Sequence, residues 1–542
     1  MSWADGERLR GSLWASLSGL LLALAFPRAD LGLLGLAALT PFLLGLGGLG
    51  WRAALLRGYL CGLTFFLVLI SWMPRVMVRY GGLPRGVAWS VLLLLALYLA
   101  TYVAMFALLL AAAWRERGPI ALLSAPVLWV GLEFAREHIL TGFPWGALGY
   151  TQYRNLPLLQ TAAGGGIYAV SFLVMAANAG LALLMTQPAT RRARFAGLLL
   201  LSCVAVAEAG GLLLLRGAPE SPESDRVMVA AVQGNVPQDR KWVPGEEARI
   251  LDDLVRLTRQ AAAAGARLIV WPESSSPFSF RRPVASPTSG RPAGNGTEGA
   301  AVQENPGYTR LVEDLARELG VSLIAGSVDY TVRDGEVRAL NSAFAIGPEG
   351  ELGPSYDKIH LVPFGEYVPL QRLLFFVNRM AGGAIAGFAP GRRFDPLPTA
   401  AGPAATTICY EAIFPGLVRR VARDGVLLVN ITNDAWFGRS AAPRQHLAIA
   451  VVRAVENRRY LLRAANTGIS ALVDPYGRIL AETPLERQTV LLGRLAPRRQ
   501  LSPYARAGDW LAWACAILTI LHAAAHRAAF GRESGRFLAR EP

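Results

Sequence analysis

The sequence predicts a multi-span α-helical membrane domain joined to an α/β layered domain. Three observations carry this. At 542 residues the chain exceeds one ordinary domain, and at 53% hydrophobic residues it is too apolar for a fully soluble protein. Its apolar residues fall in long runs, seven before residue 216 and one after residue 508. The hydrophilic stretch between them alternates short apolar strands with amphipathic segments, the pattern of a layered α/β domain.

The apolar runs lie near residues 11 to 26, 31 to 49, 54 to 74, 86 to 114, 119 to 135, 163 to 185, 195 to 215 and 509 to 529. Each suits a spanning helix. The first resembles a signal peptide, with Arg8 and Arg10 ahead of an apolar stretch ending in Ala25-Phe26-Pro27, but further spans follow at once and a retained helix is expected. Arginine sets the orientation. Arg8, Arg10, Arg52, Arg115, Arg117, Arg191, Arg192, Arg194 and the tail arginines Arg532, Arg536 and Arg540 collect on the N-terminal side of the membrane, fewer on the other, so the N-terminus is expected in the cytoplasm. Residues 1–215 are then a seven-span membrane domain, 216–508 an outer domain, and 509–542 an eighth span with a cytoplasmic tail. The net charge of +15 belongs to these flanking arginines, so nucleic acid is not an expected partner.

Two features of the apolar part stand out. Glu208 lies inside the seventh run with no partner visible in the sequence, and a protonated or packed carboxyl is expected there. Residues 141 to 150, Thr-Gly-Phe-Pro-Trp-Gly-Ala-Leu-Gly-Tyr, are too broken for a helix; their aromatics are expected at the membrane interface, as anchors or as part of a lipid entrance.

In the hydrophilic region, strands are expected at 227 to 232, 268 to 271, 321 to 325 and 342 to 346, in the run that leads into Cys409, and at 426 to 431. Helices are expected at 246 to 264, 308 to 319 and 446 to 465, a turn at 347 to 350, and a hairpin around Asp474-Pro475-Tyr476-Gly477. Residues 280 to 305, rich in Pro, Gly, Ser and Thr, read as a surface loop.

Cys61, Cys203 and Cys515 fall inside apolar runs, which leaves Cys409 as the one cysteine of the hydrophilic region. No disulfide framework, metal cluster or cofactor is expected from that set. Cys409 ends an apolar run, Thr406-Thr407-Ile408, and is followed by Tyr410-Glu411, so it is either a core thiol or a nucleophile at a strand end. Glu273 stands where the Leu268-Ile269-Val270-Trp271 strand stops at Pro272. A carboxylate whose pKa is raised by apolar surroundings can take a thiol proton. Lys358 is notable because nearly all 54 basic residues are arginine. A compact ammonium beside the thiol favours the thiolate and stabilises an oxyanion. His360 and His446 offer a Cys-His pair, but neither lies in a cysteine-protease pattern.

The order Glu273, Lys358, Cys409, in the contexts Trp-Pro-Glu, Tyr-Asp-Lys-Ile-His-Leu-Val-Pro-Phe-Gly-Glu-Tyr-Val-Pro and Ile-Cys-Tyr-Glu, resembles the nitrilase (carbon-nitrogen hydrolase) superfamily. With seven apolar runs before that region and one after, the whole chain is similar to the apolipoprotein N-acyltransferase family within it. The resemblance implies a nitrilase-like αββα sandwich in the periplasm, held by a multi-pass domain in a bacterial inner membrane. It implies Glu273 as general base, Lys358 as oxyanion stabiliser and Cys409 as the acylated nucleophile. Glu366 would orient Lys358 or share the proton, while Trp242, Tyr410 and Glu411 would support the site. The implied partners are a phospholipid acyl donor, phosphatidylethanolamine, and diacylglyceryl apolipoproteins, with the enzyme a monomer. Two other readings are a membrane-anchored amidohydrolase acting on a small amide and a transporter with an accessory domain.

Overall fold

The computed structural model describes residues 3–186, 190–218, 222–241, 243, 245–276, 278–280, 306–333, 336–368 and 387–526. The chain forms two compact units, one of Met1–Pro74, Gly86–Ala218 and Arg506–Pro542, the other of Arg75–Arg85 and Pro219–Ala505.

The first unit is helical. Trp51–Leu69, Arg85–Thr141, Ala162–Met185 and Arg191–Arg216 are long and apolar enough to cross a membrane, and Leu9–Leu24, Gly32–Leu44 and Trp510–Ala525 are shorter apolar helices. Leu94, Phe195, Val206, Leu213 and Ile520 point outward from it, an apolar surface of the kind an acyl-chain phase covers. The expected helix at 31 to 49 is instead two pieces, Gly32–Leu36 and Thr40–Leu44. The break frees backbone groups that an apolar interior cannot solvate. Asn178 satisfies them: its Oδ1 accepts from the Leu39 N–H at 2.7 Å and its Nδ2 donates to the Gly35 carbonyl at 2.8 Å.

The 141 to 150 segment folds inward: Trp145 and Tyr150 are buried, and the Leu148 N–H donates to buried Glu133 at 2.6 Å. Glu208, for which the sequence showed no partner, accepts from Asn155 Nδ2 at 2.6 Å.

The second unit contains β1 (Val227–Gln233), β2 (Leu268–Val270), β3 (Ser322–Arg333), β4 (Glu336–Ile346), β5 (Leu352–Asp357), β6 (Ala404–Ile408), β7 (Leu427–Thr432), β8 (Leu461–Ala465), β9 (Ala471–Val473), β10 (Ile479–Glu482) and β11 (Thr489–Leu495). One six-stranded sheet has the order β11-β1-β2-β3-β4-β5 and one five-stranded sheet the order β10-β9-β8-β7-β6. In each, three neighbouring strands are parallel, β1-β2-β3 and β6-β7-β8. Ligand crevices of parallel sheets open at their carboxyl ends.

Helices Glu247–Ala263 and Pro306–Leu319 cover the six-stranded sheet. Ile250, Leu254, Leu257 and Ala261 recur at helical spacing and pack with Ile269, Trp271 and Phe344. Helices Pro415–Ala422 and Ala442–Asn457 pack on the five-stranded sheet, while β1 meets β8 and β4 meets β6 across the middle. Every residue of β6, β7 and β8 is buried, as a sheet covered on both faces requires. The layers are helix, sheet, sheet, helix.

The expected helix at 446 to 465 is corrected. It spans Ala442–Asn457, Arg458 turns left-handed at φ 51°, and the apolar run that follows is strand β8, paired with β7. Short apolar runs fit either period, and here pairing decided. Phe280 packs between Tyr308 and Phe344, and the remainder of the expected 280 to 305 loop lies outside the described residues. The 75–85 segment belongs to this unit through Tyr80, whose hydroxyl donates to the Ala435 carbonyl and whose ring meets Trp436 edge-on at 5.1 Å.

Candidate active site

Glu273 leaves β2 just after Pro272, which cannot continue the ladder. The chain crosses β3 so closely that a Cβ on Gly326 would lie 2.3 Å from the Pro272 carbonyl oxygen, so only glycine fits there. The Glu273 carboxylate is fixed at both oxygens. Oε1 accepts from Asn341 Nδ2 at 2.7 Å and faces Lys358 Nζ at 3.4 Å, and Oε2 accepts from the Asn433 N–H at 2.8 Å.

Lys358 follows β5 and is 1% exposed. Its Nζ meets Glu366 Oε1 at 2.9 Å. Glu366 is held in turn by Asn341 Nδ2 at 3.1 Å and by the Val362 N–H, which donates to Oε2 at 2.7 Å.

Cys409 follows β6 as the first residue of a short 3-10 helix, Cys409–Ile413, at φ +52° and 8% exposure. A non-glycine residue at that φ is strained, and the surroundings must hold it. Glu411 and His446 do so. His446 Nε2 lies 3.1 Å from the Cys409 carbonyl oxygen, and its Nδ1 lies 3.2 Å from Asp434, which Arg463 pairs at 2.8 Å. Glu411 is fully buried and collects four donors. The Ile408 N–H reaches Oε2 at 2.7 Å, the Ile359 and His360 N–H groups reach Oε1 at 2.6 and 3.1 Å, and the Tyr356 hydroxyl donates at 3.0 Å. One carboxylate thereby ties the Cys409 turn to the lysine segment.

Electrostatics refine the expected roles. Burial pushes the Cys409 thiol up, Glu273 adds to this, and the opposing pull of Lys358 does not overcome them, so the resting sulfur is a neutral thiol. Burial also raises the Glu273 carboxyl, yet Lys358, Asn341, Lys241 and the Asn433 N–H together bring it below the usual carboxylate value. The expected raised Glu273 is therefore corrected: the resting carboxylate is ionised. Burial disfavours the Lys358 ammonium, but Glu366 and Glu273 outweigh it and push its pKa up.

The structure thus gathers Glu273, Lys358, Glu366 and Cys409 into one buried cluster, with Glu411 as its brace. Tyr410 stands beside Cys409 in an aromatic group with His360 and Phe414, its ring 5.4 Å from that of Phe414. Trp242 lies outside the described residues. Both histidines are accounted for away from the sulfur, His446 on the Cys409 carbonyl and His360 against Phe414 at 3.8 Å. Sequence reasoning missed Asn341, Asn433 and Lys241. Lys241 Nζ donates to the Glu273 carbonyl at 3.2 Å. Among the described residues no group of three or more His, Cys, Asp or Glu is arranged to hold a metal ion.

Residues 228–501 match the carbon-nitrogen hydrolase family model, and residues 18–180 match that of the apolipoprotein N-acyltransferase N-terminal domain. Apolipoprotein N-acyltransferase from Geobacter metallireducens is 43% identical, covering 94% of each chain. The protein of that name from Azotobacter vinelandii is 36% identical over 96% of this chain and 95% of its own. Among solved structures, Saccharomyces cerevisiae Nit3, a member of the nitrilase superfamily, aligns with a TM-score of 0.36 at 20% identity, covering 50% of this chain and 91% of Nit3. The chain belongs to the apolipoprotein N-acyltransferase family.

Proposed function

We propose that the chain transfers a fatty acyl group from a membrane phospholipid to the α-amine of the N-terminal diacylglyceryl-cysteine of apolipoproteins, through a thioester on Cys409. The observation that carries this is the buried thiol sharing one cluster with the ionised Glu273 and the Lys358 ammonium, in a chain whose other unit is built of apolar helices.

In the first half-reaction Cys409 Sγ attacks the ester carbonyl of the donor, phosphatidylethanolamine at its sn-1 chain, as its proton passes to Glu273. In the resting cluster that transfer is uphill, so it accompanies attack rather than preceding it. The negative charge that develops on the carbonyl oxygen is met by the fixed Lys358 ammonium together with the backbone N–H after the nucleophile. The ester C–O bond breaks, Glu273 returns the proton to the leaving oxygen, and a lysophospholipid departs. In the second half-reaction the α-amine attacks the thioester, the C–S bond breaks, and a proton returns to sulfur by way of Glu273. Glu366 holds Lys358, Glu411 holds the turn, and Tyr410 and Trp242 shape the substrate's approach.

The membrane setting follows from the substrates. Moving an acyl chain from an apolar phase into water costs about 0.8 kcal/mol per CH₂. In our reading seven spans precede the catalytic unit and one follows it, the protein is a monomer in a bacterial inner membrane, and the catalytic unit faces the periplasm.

The carbon-nitrogen hydrolase match favours one rival, hydrolysis of a small amide at the same cluster. Incubation of the full chain in vesicles with a phospholipid labelled in its sn-1 acyl chain separates them. A hydroxylamine-labile acyl group on the wild type, absent from Cys409→Ala, supports acyl transfer. No acyl-enzyme under any condition sinks it.

A further inference from the structure

Of the chain's 54 basic side chains only two are lysines, Lys241 and Lys358. Arginine serves everywhere else. Both lysines are buried, at 5% and 1% exposure, and the charges of both act on Glu273 and Cys409. So the only two ammonium side chains of the protein act on the same thiol and the same carboxylate.

Lys241 lies beyond β1, where its backbone N–H donates to the Pro237 carbonyl at 3.1 Å. Its neighbours on that loop are exposed and paired elsewhere, Asp239 with Arg79 and Arg240 with Glu246. Lys241 itself turns inward, beside a small cavity that it lines with Val236, Leu254, Pro272, Ser275 and Asn466. Its Nζ donates to the Glu273 backbone carbonyl at 3.2 Å, next to Ser274 in a left-handed conformation at φ +45°. Lys358 grips the Glu273 side chain and Lys241 grips its main chain.

The charge balance gives this contact a second consequence. Lys358, Glu273 and Glu366 together carry one net negative charge, which the acylation step moves among sulfur, Glu273 and the oxyanion without removing it. A protonated Lys241 balances those three groups; Asp434, which also acts on Cys409, is already paired by Arg463, and the Glu411 carboxyl, pushed up to about 7 by burial, rests on its own four donors. Burying an uncompensated charge is costly, so the second ammonium favours each anionic species along the path.

We propose that Lys241 is a positioning residue of the acyl-transfer site, holding Glu273 in place through its backbone carbonyl and supplying the second positive charge under which Cys409 ionises. This rests on the acyl-transfer reading of the Cys409 cluster. Burial lowers the Lys241 ammonium to about 8 against the opposing pull of Glu273 and Cys409, so its protonation responds to the site's charge close to neutral pH, which that of Lys358 does not.

The test uses the full chain in vesicles, with Lys241→Met, Lys241→Arg and Cys409→Ala beside the wild type. Iodoacetamide alkylation of the Cys409 peptide is followed against pH by mass spectrometry, together with acyl-enzyme formation from labelled phospholipid. Below about pH 8, where Lys241 is charged, Lys241→Met is expected to lower the alkylation profile about tenfold in rate and to slow acylation at least about tenfold. Lys241→Arg, which keeps the charge, is expected to restore most of the profile. A Lys241→Met enzyme with the wild-type profile and an acylation rate within about twofold of wild type overturns the proposal. A hydroxylamine-labile acyl group on Cys409→Ala overturns instead the reading beneath it. Should Lys241→Met fail to fold, competitive acetylation of the two lysines against pH in wild type and Glu273→Gln decides. Loss of the Glu273 charge is expected to lower the Lys241 midpoint by about half a pH unit or more, and superimposable titrations overturn the proposal.

Discussion

Replacing Glu366 by glutamine changes one atom and one charge, and the geometry fixes what that does. One carboxylate oxygen accepts from Lys358 Nζ at 2.9 Å and Asn341 Nδ2 at 3.1 Å, and the other accepts from the Val362 N–H at 2.7 Å. A carboxamide has a single acceptor. If its oxygen faces Lys358 and Asn341, its NH₂ meets the Val362 N–H; turned over, it meets the two side-chain donors. Either way a buried donor is left unmatched, at a cost of about 1–3 kcal/mol. Loss of a negative charge beside a buried ammonium adds to this, tempered because Glu273 remains 3.4 Å from Lys358. A total of about 2–4 kcal/mol, falling on the step that uses Lys358, slows acylation by about 30- to 1000-fold. Single-turnover transfer of a labelled acyl chain onto Cys409 measures it, with thermal unfolding confirming that the variant is folded. Acylation by a folded Glu366→Gln within about threefold of wild type refutes the reasoning.

Three further outcomes are expected. Glu411→Ala strands the Tyr356 hydroxyl and the N–H groups of Ile359, His360 and Ile408, so the catalytic unit should lose at least about 4 kcal/mol in urea unfolding; a loss below about 1 kcal/mol contradicts the bracing role. Burial beside Phe414, with Lys358 nearby, lowers His360 from 6.5 to about 4, so between those values the unfolded chain binds more protons than the folded one. Stability should therefore fall as pH drops from about 6.5 to about 4, by up to about 3 kcal/mol, and His360→Phe should flatten that slope. Asn178→Leu leaves the Leu39 N–H and the Gly35 carbonyl unsatisfied inside the helical unit, which should lower the thermal midpoint in detergent and expose residues 31–44 to hydrogen exchange; unchanged protection there contradicts its role.

Strands β1, β2, β6 and β7 were legible because each is an apolar run stopped by a polar or turn residue, as at Pro272 and Cys409. The passage from helix to strand at Arg458 was not, since residues 461–465 continue an apolar pattern that only pairing with β7 resolves. The break at 36–40 was hidden for a related reason. Hydropathy registers apolar length, whereas the break depends on a distant asparagine that satisfies its backbone. The cluster was legible as residue types in order, Glu273, Lys358 and Cys409, but its ionisation was not. A raised Glu273 follows from burial alone, and only the placement of Lys358, Asn341, Lys241 and Asn433 reverses it. One signal for Lys241 was present in the sequence. The scarcity of lysine that singled out Lys358 applies equally to the one other lysine, at position 241.

The central claim is that Cys409 carries the acyl chain on its way to the lipoprotein amine. Mass spectrometry of the N-terminus of a reporter diacylglyceryl lipoprotein, incubated in phospholipid vesicles with either the wild-type chain or Cys409→Ala, tests it most directly. The expected result is an N-acylated terminus with the wild type and a free α-amine with the variant. The same N-acylated mass from both, or a free amine from both, contradicts it.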